Sequence, residues 1–520
     1  MIGASVTRGI SLTRSLLSRN WLEMAGTKAA YTTVSPPHMQ REVPLTIQNL
    51  NPCIREMEYA VRGAVPLEAL RIANELKQGV KYPFKEVVFA NIGDCQGTGQ
   101  KPLTFVRQLI ACTADTSLLD KGIYPPDVCE RARAILADCG GASLGSYTDS
   151  RGITIIRKHV QEFITARDGI PANYESIFLT NGATDGIKAA IALCLMEDKK
   201  AGVMIPIPQY PLYSAAITEL NAHAINYYLD EDNDWSIRME ELERSLEESI
   251  KENKSKPKIL VVINPGNPTG QCLPEDNMKE IIKFCHRNSL LLLADEVYQE
   301  NVYVESRNFS SFRKVLLEMG KDYKDFQLMS FNSTSKGFIG ECGIRGGYVE
   351  MIGFPEDLLQ QVYKVFSVRL CANSIGQVVV DVMVKPPQKG DPSFELFDEE
   401  RQFILQSLKR KSVMVYEKFN SIPGIKCNRL QGSMYAFPQI EIPEGALKDA
   451  HKEDPNMTLD TFYCLELLRQ EGICFVPGTG FGQRPGTLHI RTTILPKEDV
   501  LGRVLERFES FHKKFTAKYQ

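Results

Sequence analysis

Beyond about residue 45 the chain alternates two hydrophobic patterns. Short, near-continuous apolar runs recur between polar or Gly/Pro-rich stretches, and between them apolar residues return at helical spacing. Continuous runs suit strands covered on both faces, and their alternation with helices predicts an α/β fold with a mostly parallel central sheet. Strands are predicted over residues 176–179, 202–207, 257–263, 290–294, 327–331 and 346–351, with helices over 183–196 and from about Pro274, a proline suited to a first turn, to Asn288.

Pro386-Pro387, Gly390 and Pro392 mark a hinge. A long helix from about Phe394 to Phe419, shorter strands over 435–440, 473–476 and 487–494, and a terminal helix from about Lys497 predict a second, smaller α/β lobe. Residues 441–460, polar and acid-rich, read as a surface insertion. The expected division is a tail over 1–45, an N-terminal segment over 46–140 contributing to the small lobe, a large domain over 141–385 and a small domain over 386–520.

The tail differs in kind. Arg8, Arg14 and Arg19 stand among Ser, Thr and apolar residues, with no acid before Glu23. An Arg-rich, acid-poor stretch of this sort resembles a mitochondrial presequence and points to the matrix, the alternative being an inert tail and a cytoplasmic protein.

Composition narrows the remaining classes. Lys and Arg number 61 against 64 Asp and Glu, so no global charge draws the chain to nucleic acid or an anionic membrane. A hydrophobic share of 43% with 24% charged residues is that of an ordinary globular protein. The 13 cysteines form no C-x-x-C pair and the 7 histidines no H-x-x-x-H spacing, which indicates neither a metal site nor a disulfide scaffold. Cysteines so placed fit a reducing compartment, where the sequons at Asn308, Asn332 and Asn456 are chance matches.

Candidate chemistry gathers after the predicted strands. Asn332-Ser333-Thr334-Ser335-Lys336-Gly337, followed by Arg345-Gly346-Gly347, sets a lysine among small hydroxyl residues and glycines. Held out of bulk water near a cation such as Arg345, that amine would have a lowered pKa and could attack a carbonyl to form a Schiff base. Taken alone, a loop lysine is a solvated side chain. Asp295 ends an apolar strand, where open sheets place ligand-binding groups, although a turn or cap aspartate occupies the same kind of position. Asn264-Pro265-Gly266-Asn267-Pro268-Thr269-Gly270 forms a stiff loop after the strongest strand. Gly182-Ala183-Thr184 opens a helix whose free N–H groups suit a phosphate, and Tyr210 offers a ring for stacking.

The ordered set Gly182-Ala183-Thr184, Tyr210, Asn267-Pro268-Thr269-Gly270, Asp295 with Tyr298, Ser333 with Lys336, Arg345 and Arg491 resembles the fold-type I pyridoxal-phosphate aminotransferases. With Gln96-Gly97-Thr98-Gly99-Gln100-Lys101-Pro102 it is most similar to their alanine-specific branch. The resemblance covers roughly residues 46 to 520 and implies a homodimer exchanging an amino group between L-alanine and 2-oxoglutarate. It implies that Lys336 carries pyridoxal 5'-phosphate covalently and moves the proton, that Asp295 holds the ring nitrogen, that Asn267 and Tyr298 reach the ring oxygen, and that Tyr210 stacks. Ala183, Thr184, Ser333 and Arg345 would bind the phosphate, with Tyr147 reaching it from the neighbouring subunit. Arg491, with Asn267 beside it, would bind the substrate carboxylate. Glu341, between Lys336 and Arg345, is expected to face away from that arginine. Three alternatives stay open: a glutamate:glyoxylate or aromatic aminotransferase, a lyase using the same cofactor, and a non-catalytic relative. The S-x-x-K match at Ser333 lacks the S-D-N and K-T-G partners of an acyl-transfer site.

Overall fold

A computed structural model describes residues 44–59, 63–306 and 309–520. The residues that carry the presequence reading, Arg8, Arg14 and Arg19, and the sequon at Asn308 lie outside the described residues. Residues 44–50 make a small turn closed by Thr46 N–H to Asn49 Oδ1 at 2.6 Å, and the chain from Asn51 to Gln520 is a separate, single unit.

Seven strands build the main sheet: β1 Ile177–Thr180, β2 Ala201–Ile207, β3 His223–Tyr228, β4 Lys256–Ile263, β5 Leu291–Asp295, β6 Leu328–Ser333 and β7 Gly347–Ile352. Their order is β1-β7-β6-β5-β4-β2-β3. Only β7 runs antiparallel, against β1 on one side and β6 on the other. Side chains alternate between the faces, as the pleat requires. Val261, Leu293 and Met329 enter one apolar layer with the helix Ala183–Leu193. Leu260, Leu292 and Leu328 enter the opposite layer with the helix Glu275–Arg287. Each predicted strand of the sheet is present within a residue or two. The sequence reading missed β3, an edge strand whose Asn226 is exposed, so no continuous apolar run announces it.

The helices Thr104–Ala114, Thr154–Asp168 and Ser374–Val384 pack together beside this sheet. The last is apolar on nearly all sides, and every residue from Gly376 to Val384 is buried. Phe394–Asn420 is a single 27-residue helix, and Glu498–Tyr519 packs along it. Ile490–Thr493 lies between Tyr435–Ala436 and Val476–Pro477, antiparallel to both, while Val88–Phe89 pairs in parallel with Ile473–Cys474. The expected strand over 435–440 is broken into Tyr435–Ala436 and Gln439–Ile440, with Pro438, which has no N–H to offer a ladder, between them. Residues 441–460 are more than a surface insertion. They carry the helix Leu447–Glu453, and Ala446, Ala450 and Asp460 are fully buried.

Among the described residues no helix is long and apolar enough to cross a membrane, and no cluster of His, Cys, Asp and Glu suits a metal ion.

Candidate active site

The parallel strands end on a common edge, and the residues just past them face one another across a cavity of about 380 Å³. β1 delivers Gly182-Ala183-Thr184, β2 Tyr210, β4 Asn267, β5 Asp295 and Tyr298, and β6 Ser333 and Lys336; Arg345 precedes β7, and Arg491 enters from the smaller sheet. Register sets the floor, because Asp295 lies opposite Ile263 on one neighbour and Phe331 on the other.

Asp295 is buried, and among the described residues no cation is bonded to it. Its Oδ2 accepts from Tyr213 at 2.8 Å, while its Oδ1 has no hydrogen-bond partner among the described residues. Burial pushes the carboxyl up to about 6, against the weaker pulls of the Tyr213 hydroxyl, the Val297 backbone N–H and the Lys336 charge. A buried carboxylate with an orphaned oxygen on a cavity wall fits a cationic N–H donor such as a protonated ring nitrogen.

Arg491 is the complementary case. Its guanidinium lies between the rings of Tyr435 and Phe481, 4.3 and 4.4 Å from their centroids, and donates to Asn91 O and, at 3.3 Å, to Asn267 Oδ1. Its Nε has no hydrogen-bond partner among the described residues, and burial lowers its pKa. Among the described residues it has no carboxylate partner, so an incoming carboxylate meets a desolvated, oriented fork.

Lys336 Nζ donates to Gly93 O at 2.9 Å. A lowered pKa is the sequence-based expectation, and the structure corrects it. Burial presses the ammonium down, but the neighbouring Tyr435 phenol and the thiols of Cys342 and Cys95 outweigh it and leave the value above an ordinary lysine's. Arg345 is not the neighbour assumed, since its guanidinium is held by Cys342 O at 2.9 Å and Asn181 O at 3.2 Å.

Arg345 itself has a φ of 64°, a conformation uncommon outside glycine, and this brings its guanidinium beside the Ala183 helix start. A Cβ on Gly182 would fall 2.4 Å from Arg345 Nη2, so glycine is required for that approach. Ser333 Oγ bonds Gly346 O at 3.2 Å and accepts from Ser335 N–H at 3.1 Å. Free helix N–H groups, a hydroxyl and an arginine with no carboxylate partner among the described residues make a cradle that fits a phosphate. Glu341 does face away, paired with Arg107 at 2.9 Å.

Tyr147 does not join this cavity; it is 77% exposed. The Gln96–Pro102 motif straps the lysine loop, with Gln96 Nε2 on Gly340 O at 3.4 Å and Gln100 Nε2 on Phe338 O at 3.1 Å. Sequence reasoning missed Tyr59, Gly93, Tyr213, Cys342 and Tyr435. Tyr59 Oη lies 3.1 Å from Tyr210 Oη. A Cβ on Gly93 would fall 2.0 Å from Tyr435 Oη and 2.7 Å from Lys336 Nζ. None of the five belongs to a strand-end motif; Tyr435 alone carried a signal, as the first residue of a predicted strand.

Comparison with known proteins agrees with this arrangement. Residues 114–508 match the family model described as aminotransferase class I and II. The chain is 49% identical over 479 residues to alanine aminotransferase 2 of Xenopus tropicalis, covering 91% of each chain. It is 45% identical over 492 residues to a Dictyostelium discoideum protein named "probable alanine aminotransferase, mitochondrial", covering 93% of this chain and 91% of that one. The crystal structure of an Escherichia coli aminotransferase superposes with a TM-score of 0.69 at 24% identity, covering 90% of this chain and 98% of the other. The chain belongs to the class I and II aminotransferases.

Proposed function

We propose that this chain is an alanine aminotransferase that uses pyridoxal 5'-phosphate to convert L-alanine and 2-oxoglutarate to pyruvate and L-glutamate. The observation that carries the reading is the trio, on the walls of one cavity, of Lys336, a buried Asp295 with no cation bonded to it and a buried Arg491 with no carboxylate bonded to it among the described residues. The 49% identity to a named alanine aminotransferase supports the substrate.

When bound, the cofactor supplies an electron-withdrawing ring that stabilises negative charge at the substrate Cα. Ala183, Thr184, Ser333 and Arg345 would hold its phosphate, Asp295 its ring nitrogen, Asn267 and Tyr298 its ring oxygen, and Tyr210 its face. Lys336 would hold it covalently and, once released, carry the proton taken from the substrate Cα. Arg491, whose Nη1 already meets Asn267 Oδ1, would grip the α-carboxylate and fix which Cα bond breaks. Gly93 keeps the space beside Lys336 Nζ open. Both half-reactions use this one site, so ping-pong kinetics follow.

A homodimer completes the proposal. Tyr147, Val368 and Leu370 are 77%, 87% and 53% exposed, and Ser150 Oγ bonds Leu370 O at 2.7 Å, tying two of these segments together. A second copy covering them would receive Tyr147 at its phosphate cradle. The Arg-rich N-terminus and the Dictyostelium relative's name support a mitochondrial location.

The test is an absorption spectrum of the purified protein. A visible band should disappear on adding L-alanine and return with 2-oxoglutarate. A band indifferent to alanine removes the substrate assignment, and no band after incubation with pyridoxal phosphate removes the enzyme reading. In Lys336→Ala turnover should fall by about 10²–10⁴-fold or more with the fold retained; near-normal turnover would sink the role given to Lys336.

A further inference from the structure

Tyr435 and Arg491 stand on neighbouring strands of the smaller sheet. Tyr435 pairs with Thr493, two residues beyond Arg491, and residues two apart on a strand share a face, so Tyr435 and Arg491 are diagonal neighbours. The guanidinium accordingly lies over the Tyr435 ring, 4.3 Å from its centroid. The other end of the same side chain meets the lysine. Lys336 Nζ is 6.0 Å from the ring centroid, and a Cβ on Gly93 would fall 2.0 Å from Tyr435 Oη and 2.7 Å from Lys336 Nζ, so hydroxyl and amine border the same atom-sized space. Tyr435 is buried, and its ring packs edge-on against Tyr298 with centroids 6.3 Å apart. A phenylalanine would pack equally well against Arg491 and Tyr298; what it would lack is the oxygen beside the lysine.

We propose that Tyr435 is a positioning residue that holds two working cations of the site at once: its ring supports the guanidinium that grips the substrate carboxylate, and its hydroxyl oxygen accepts an N–H of Lys336 in addition to the one given to Gly93 O. The separation between the carboxylate grip and the amine that takes the Cα proton is then set by one rigid side chain. Turnover needs both in register, because a misplacement of about 1 Å costs about 10²-fold. The inference rests on the roles given above to Lys336 and Arg491.

Electrostatics agree with this placement. Burial presses the Lys336 ammonium down, and Tyr435 is the foremost of the groups that outweigh burial. The other titratable groups around the amine are Tyr298, whose ring centroid is 5.8 Å from Nζ, Cys342, Cys95, Asp295 and, on the same cavity wall, Asp94. All of them remain when residue 435 is changed, so a difference between parent and variant isolates the hydroxyl.

The experiment compares Tyr435→Phe and Tyr435→Leu with the parent, loaded with pyridoxal phosphate for kinetics and as cofactor-free, full-length protein for labelling and thermal melts. In Tyr435→Phe, kcat should fall by about 10–100-fold, the range for losing a hydrogen bond to a charged group, with KM for L-alanine and 2-oxoglutarate nearly unchanged. Acetic anhydride should modify Lys336 of the cofactor-free variant at lower pH than Lys336 of the parent, quantified by mass spectrometry. In Tyr435→Leu, which also removes the ring, KM for both substrates should rise by about 10-fold. Parental kcat in Tyr435→Phe, or a parental labelling profile of Lys336, would overturn the lysine half of the proposal, and a Tyr435→Leu variant with the KM of Tyr435→Phe would overturn the arginine half. A lowered kcat with a lowered melting temperature and unchanged labelling would reduce Tyr435 to a packing residue. Failure of the underlying reading looks different, since the parent itself would then lack the visible band or its response to L-alanine.

Discussion

Two aspartates in this molecule are equally hidden from water and behave in opposite ways. Asp168 ends the helix Thr154–Asp168 at 5% exposure, and Asp295 ends β5 at 4%. Asp168 is fully engaged: Arg167 reaches both its oxygens at 2.7 and 2.9 Å, Ser311 donates at 2.9 Å and Arg313 at 3.2 Å. Burial alone would raise its pKa, but Arg167 and Arg313 outweigh burial and hold it below the ordinary carboxylate range. Asp295 has one phenol, one orphaned oxygen and a pKa pushed up to about 6. The arginines repeat the contrast. Arg313 is satisfied by Glu350 at 2.8 Å, by Asp168 and by two backbone carbonyls, whereas Arg491 has no acid among the described residues. A complete buried network belongs to the fold. Charges left incomplete on one cavity wall are complementary to something that arrives from outside.

The contrast breaks or holds under paired substitutions. Asp295→Asn should lower turnover by about 10²–10³-fold while leaving the cofactor-free protein at least as stable as the parent, because an uncompensated buried charge has gone. Turnover assays beside thermal melts check both halves, and a destabilised Asp295→Asn would place this residue with the structural group. Asp168→Asn should do the reverse. Removing one partner of a buried ionic cluster costs about 3–5 kcal/mol, readable by denaturant unfolding, while turnover per folded molecule stays near that of the parent. A large fall in turnover at unchanged stability would sink the distinction.

These two aspartates also show how far the sequence could be read. Asp295 was legible because a five-residue apolar strand points at it and position in an open sheet carries meaning; Lys336, Asn267 and Thr184 stand out for the same reason. Asp168 was not, since its partners Arg313 and Ser311 lie over 140 residues away and nothing local announces them. Tyr213 illustrates the boundary. It lies three residues past Tyr210, yet its bond to Asp295 depends on β2 and β5 both flanking β4, which periodicity does not encode. Charge balance was likewise beyond the sequence: Lys336 was expected to be depressed by Arg345, and the tertiary fold surrounds it with a phenol and two thiols instead. Periodicity identifies strand ends, and strand order decides which ends meet.

The smallest expected effect is a pH dependence, and its sign separates the two aspartates. With a folded pKa near 6 against an ordinary 3.8, Asp295 binds its proton more tightly in the folded chain than in the unfolded one. Its contribution to stability is therefore fully present below about pH 4 and is lost as pH rises through about 6, by up to about 3 kcal/mol. Asp168, with its pKa held down, contributes above its unfolded value and loses that contribution as pH falls below about 4. Glu296, pushed up to about 7 by burial, adds to the loss on the alkaline side, so the parent's own curve cannot assign the effect. The difference between parent and variant can. For cofactor-free protein, the stability of Asp295→Asn relative to the parent should grow between pH 4 and 7, whereas the deficit of Asp168→Asn should shrink as pH falls below 4. Saturating the parent with cofactor should flatten the first difference, since a cation beside Asp295 removes the reason for its raised pKa. Parallel curves for parent and Asp295→Asn across pH 4 to 7 would mean that Asp295 already has its counter-charge in the empty site, and the complementarity on which the cofactor assignment rests would be gone.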